Sequence, residues 1–90
     1  MEDINNKPAD MTDDMLNLFI AYAKDNGNWS GNPLVGGNVN QGLKENGLLT
    51  NLKKTGYLST FEDDGEWIQF TDKGITLMKS IGIDYEGSRK

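Results

Sequence analysis

The sequence predicts a small α+β domain of about three helices and one two-stranded antiparallel hairpin. Three features carry that expectation. A wide apolar pattern at residues 15–23 follows a capping threonine, an Asp64-Gly65 step separates two strand-like runs, and Thr71 starts a final apolar helix closed by Gly82. Ninety residues suit a single domain, placed at 10–83, between a flexible lead-in at 1–9 and a flexible tail at 84–90.

Composition removes several classes of function. There is no cysteine and no histidine, so disulfides, thiolate metal sites and the commonest general base are all absent. No catalytic residue, metal ligand or cofactor is expected, nor is a small-molecule substrate. No apolar run approaches the roughly 18 to 20 residues that span a bilayer, and residues 1–10 lack the basic-then-apolar pattern of a signal peptide. A cytoplasmic chain without membrane contact is the expectation. The net charge of -5 and pI near 4.5 run against phosphate binding unless the cations share one face.

In the first helix Thr12 is the expected N-cap, Asp13 and Asp14 lie where the helix dipole favours negative charge, and Gly27 is the expected stop. Met15, Leu16, Leu18, Phe19, Ile20, Tyr22 and Ala23 cover more than one stripe, which marks a central core helix. Residues 26–37, NGNWSGNPLVGG, are dense in turn formers. They form either a short helical turn at 32–35 with Pro33 in its first position, or an ordered loop pinned by Trp29, Leu34 and Val35.

The next helix falls within 40–55 and ends at Gly56. At about 100° per residue Leu48, Leu49 and Leu52 share one side with the stem of Glu45. Asn46, Gly47, Thr50 and Lys54 form the opposite side, flanked by Asn51 and Lys53. Leu43 falls on the outer side of a continuous helix. A helix start or break near 43–47 removes that conflict, and so does packing of Leu43 on the preceding loop. Strands are expected at 57–63 and 66–71, joined by a two-residue Asp64-Gly65 turn. That register pairs Phe61 with Ile68 and Glu62 with Trp67, and puts Phe61, Ile68 and Phe70 on the core face. In the last helix Ile75, Leu77, Met78 and Ile81 supply the buried side.

These segments together resemble the winged helix-turn-helix regulators, in particular the multiple-antibiotic-resistance-type repressors. The similarity lies in Leu52-Lys53-Lys54-Thr55-Gly56-Tyr57-Leu58, in the acidic hairpin Glu62-Asp63-Asp64-Gly65-Glu66, and in Phe70-Thr71-Asp72-Lys73-Gly74. It covers about half of the chain. The chain departs from the family in a short or degenerate second helix and in a wing tip without arginine. The resemblance implies a small winged helix domain that meets double-stranded DNA through Lys44, Asn46, Thr50, Asn51, Lys53 and Lys54. Residues 38–60 hold three lysines against one glutamate, a local charge of +2 that suits this role.

The hairpin is acidic where the family's wing would lie along phosphates. The alternative expectation is therefore a protein-interaction module acting through Glu62, Asp63, Asp64, Glu66 and Trp67. Its partner would be a homodimer mate or another protein, as for a phage accessory protein acting on a host protein or transcription complex.

Overall fold

The computed structural model describes residues 7–87. The first six residues of the lead-in expected at 1–9 and the last three residues of the tail expected at 84–90 lie outside them. Helix α1 spans Asp13–Asp25 and runs into a 3₁₀ turn, Asn26–Trp29. Helix α2 spans Leu43–Lys54, strands β1 and β2 span Leu58–Glu62 and Glu66–Phe70, and helix α3 spans Asp72–Ser80. This is an α+β domain of three helices and a two-stranded antiparallel hairpin, with a winged-helix-like layout. No helix among the described residues is long and apolar enough to cross a membrane.

Local chemistry sets most of the element ends. The Thr12 Oγ1 accepts from the Met15 N–H at 3.1 Å, and the Thr71 Oγ1 accepts from the Gly74 N–H at 3.1 Å. Both α2 and α3 end in Schellman turns. The Gly56 and Tyr57 N–H groups return to the Lys53 and Leu52 carbonyls, and the Gly82 and Ile83 N–H groups return to Lys79 and Met78. Gly56 and Gly82 have φ of 85° and 82°, which a β-carbon would disfavour. Gly27 is not the stop of α1. The chain tightens through the 3₁₀ turn and reverses at Ser30, whose φ is 54°.

The core lies between α1, the inner side of α2, the inner face of the hairpin and α3. Phe19 and Tyr22 of α1 are fully buried, as are Leu52, Ile68 and Met78. The Phe19 ring stands edge-on to Tyr57 and to Phe70, with centroids 6.1 and 5.7 Å away. Helix α3 comes so close to this group that a β-carbon at Gly74 would overlap the Tyr57 carbonyl oxygen.

Residues 32–35 are not helical. Pro33 is buried in an extended segment, its carbonyl accepts from the Ile68 N–H, and the Val35 N–H donates to the Glu66 carbonyl. Leu34 thus forms a single bridge to Trp67 on the far edge of β2. The second half of the loop is tied by the Tyr22 hydroxyl, which donates to Gln41 Oε1 at 2.6 Å and accepts from the Gly36 N–H at 3.2 Å.

The hairpin register differs from the expected one by one residue. Glu62 pairs with Glu66, Phe61 with Trp67, Thr60 with Ile68 and Leu58 with Phe70. Asp63 therefore joins Asp64 and Gly65 in the loop. Strand β1 has two rival inward-facing sets, Ser59 with Phe61 or Leu58 with Thr60. The second set wins because it buries Leu58, which is 1% exposed, beside Phe70 and Ile68. Phe61 is left on the outer face at 38% exposure. Substitution separates the two registers in a urea titration. Leu58→Ala costs about 2–5 kcal/mol, as for a large side chain removed from a packed core, while Phe61→Ala costs less than about 1 kcal/mol.

Candidate nucleic-acid interface

Helix α2 presents the candidate surface. Its inner side is anchored by Leu49 and Leu52, at 4% and 0% exposure, with Leu48 half-buried against the groove formed with Leu18, Ala21 and Val39. The outer half carries Lys44, Asn46, Gly47, Thr50, Asn51, Lys53 and Lys54, every one of them exposed. Leu43 is the first residue of α2 and is 92% exposed, so it does not pack on the loop before it. The six side chains singled out for DNA thus lie together on one helical surface. Gly47, among them, has open space where a β-carbon would be.

The polar groups of that surface are oriented in different ways. Gln41 Nε2 donates to Asn46 Oδ1 at 3.0 Å, and its own Oε1 accepts from the buried Tyr22 hydroxyl. A core tyrosine therefore fixes a loop glutamine, which turns the Asn46 amide so that its NH₂ group is left for an outside acceptor. In the sequence Tyr22 stands out only as a core position of the first helix, and Gln41 not at all, since a glutamine in a polar loop carries no pattern. The Thr50 hydroxyl donates back to the Asn46 carbonyl at 3.0 Å, which leaves its oxygen as an acceptor. At the helix start, Glu45 Oε1 accepts from the Gly42 N–H at 3.0 Å, while Gly42 has no side chain to reciprocate.

The lysines differ in their engagement. Lys44 Nζ is 3.3 Å from Asp14 Oδ2, a solvent-exposed pair that contributes little and that a phosphate can displace. Lys53 and Lys54 have no ion-pair partner among the described residues. They extend the last turn, where the helix dipole also favours them. The C-terminal end of α2 is itself braced. Lys73 Nζ donates to the Thr55 carbonyl at 2.8 Å and to Asp10 Oδ2 at 3.0 Å, and lies 4.3 Å from the centroid of the Tyr57 ring. The Tyr57 hydroxyl donates to Asp10 Oδ1 at 2.6 Å.

The hairpin surface has the opposite sign. Glu62, Asp63 and Asp64 are exposed and Glu66 is half-buried, and none has a cation partner among the described residues. Trp67 is half-buried. Its Nε1 donates to the Asp63 carbonyl at 2.9 Å, and its ring stands edge-on to Trp29 at 5.5 Å. Trp29 is held in turn by the buried Asp25 carboxylate, which accepts from Trp29 Nε1 and from the Asn28 and Asn38 side-chain amides, each at 2.8 Å. The carboxylates belong to the hairpin and the lysines to α2, so the two signs of charge are carried by different elements. No family model, no curated protein and no solved structure matches the chain.

The brace beneath α2 responds to pH in a defined direction. Burial, and then the Asp10 carboxylate that it bonds, push Tyr57 from 10.0 up to about 12. Stability from the protonated phenol is complete below pH 10.0 and is lost as the pH rises toward about 12. Conversely, bonding to Tyr57 and then to Lys73 holds Asp10 below its ordinary 3.8, so its contribution is present above that pH and is lost in stronger acid. In urea titrations across the alkaline range, Tyr57→Phe flattens the decline between pH 10.0 and about 12. Two glycine substitutions give opposite results in the same assay. Gly47→Ala stabilises by about 0.5–1 kcal/mol through helix propensity alone. Gly74→Ala destabilises by more than about 2 kcal/mol, because the clash with the Tyr57 carbonyl outweighs that gain.

Proposed function

We propose that this chain is a small winged-helix-type regulator that binds double-stranded DNA through the outer face of α2. The observation that carries the proposal is the exposure of that whole face: three lysines, two asparagines and a threonine, with no apolar side chain past Leu43. Asparagine and threonine are able to read base edges, and lysine neutralises phosphate. The likeness of residues 52–74 to multiple-antibiotic-resistance-type repressors supports the same surface. In this reading α2 enters the major groove, Lys53 and Lys54 meet phosphates at its C-terminal end, and the acidic hairpin stays clear of the backbone.

Polarization titrations with a random duplex, and with duplexes selected from a random library, test the reading. With three lysines at phosphates, log K falls with log salt at a slope near -2.7, from about -0.9 per contact. Lys53→Ala and Lys54→Ala each reduce the slope by about 1 and weaken all sequences alike. Asn51→Ala relaxes preference at one base step by about 1–3 kcal/mol. Absence of binding to selected and random duplexes alike, at low salt and tens of micromolar protein, refutes the proposal.

A further inference from the structure

Strand β1 is an open edge. One side of it pairs with β2, and the far side of β2 is taken by the Leu34 bridge, so among the described residues no strand lies along the outer edge of β1. Folded proteins usually blunt such an edge with proline, lysine or a covering segment. The residues of β1, Leu-Ser-Thr-Phe-Glu, include neither proline nor lysine. On the same strand Phe61 is 38% exposed, with Trp67 as its cross-strand neighbour. Residues 58–70 hold Glu62, Asp63, Asp64 and Glu66 and no lysine or arginine, a local charge of -4.

Outward-facing backbone groups at Thr60 and Glu62, an exposed aromatic ring and negative charge without a cation partner among the described residues thus coincide on one short hairpin. We propose that the free edge of β1 is a docking site for an extended, basic segment of another protein. The segment adds a strand along the exposed part of the edge, and its backbone bonds the N–H and carbonyl groups of Thr60 and Glu62, which face away from β2. Its lysine or arginine side chains lie among the hairpin carboxylates, and one of them rests on the Phe61 ring.

Charge selects this occupant. A second copy of the chain would set its own four carboxylates against these four, and like charges facing across a strand pair are destabilising. A nucleic acid is repelled for the same reason. A basic segment gains from the edge, the ring and the field together. The site uses residues of β1 and the hairpin and none of the outer half of α2, so peptide binding and duplex binding are read from different residues.

The test uses the full chain, labelled for amide NMR, with two synthetic probes. One peptide alternates arginine with valine, and the other has glutamate in place of each arginine. The arginine peptide shifts the amides of residues 58–62 and slows the exchange of Thr60 and Glu62, whose N–H groups face away from β2, more weakly as salt is raised. The glutamate peptide does neither. Phe61→Thr, and separately Asp63→Asn with Asp64→Asn, each weaken the arginine peptide by about tenfold, while circular dichroism reports an unchanged fold. The proposal is overturned if the arginine peptide leaves these amides unaffected, or if both peptides act equally. It is also overturned if protection of Thr60 and Glu62 appears without peptide and grows with protein concentration, because the edge is then filled by a second copy.

Discussion

Three helices and the hairpin meet where the Tyr57 carbonyl, the Phe19 ring and Gly74 come together, and no side chain fits between α3 and that carbonyl. Tyr57 is the first residue beyond the Schellman turn of α2 and the last before β1. The position of its carbonyl therefore fixes at once where α2 ends, where the hairpin begins and how near α3 approaches. Phe19, in the middle of α1, backs both Tyr57 and Phe70 with its edges. Packing of this density makes the outer surfaces rigid, because a shift of α2 would have to move an aromatic group already in contact on three sides.

Polar contacts hold the stretch between α1 and α2 in place. From Trp29 to Gly42 the chain has little apolar surface to bury, and it is held instead by side chains of α1 and the turn after it. Asp25 gathers Asn28, Trp29 and Asn38, and Tyr22 gathers Gly36 and Gln41. Asn26, 2% exposed, bonds the Asp84 carbonyl and the Glu86 N–H, while Tyr85 stands edge-on to Phe70. The described part of the C-terminal segment, 84–87, is thereby held against the end of α1. Buried carboxylate and amide groups of this kind are costly unless satisfied, and among the described residues no buried side-chain polar atom lacks a partner.

What could be read from the residues divides along the same line. Thr12, Thr71, Gly56 and Gly82 act through neighbours a few positions away, so these four helix ends were legible from composition and spacing, while the stop of α1 and the start of α2 were not. The inner and outer sides of α2 were legible too, since Leu48, Leu49 and Leu52 leave only one way to turn the helix. The register of the hairpin was not. Its strand offers two nearly equivalent apolar sets, and the choice between Leu58 and Phe61 is made by Phe70 and the rest of the core. The extended path of 32–35 was open for a related reason: its partners, Glu66 and Ile68, lie some thirty residues away in sequence. On the candidate interface the six exposed side chains were evident. The control of Asn46 by Gln41 and Tyr22 depends on a loop whose course is set by the fold.

The net charge is -5, yet the outer half of α2 carries Lys44, Lys53 and Lys54 while the hairpin carries four carboxylates. A distant polyanion senses mainly the net charge and repels the domain whatever its attitude. Within about one Debye length, roughly 8 Å at physiological ionic strength, the nearest charges decide instead, and they differ in sign between α2 and the hairpin. A polyanion that comes this close is attracted at the lysines of α2 and repelled at the carboxylates of the hairpin.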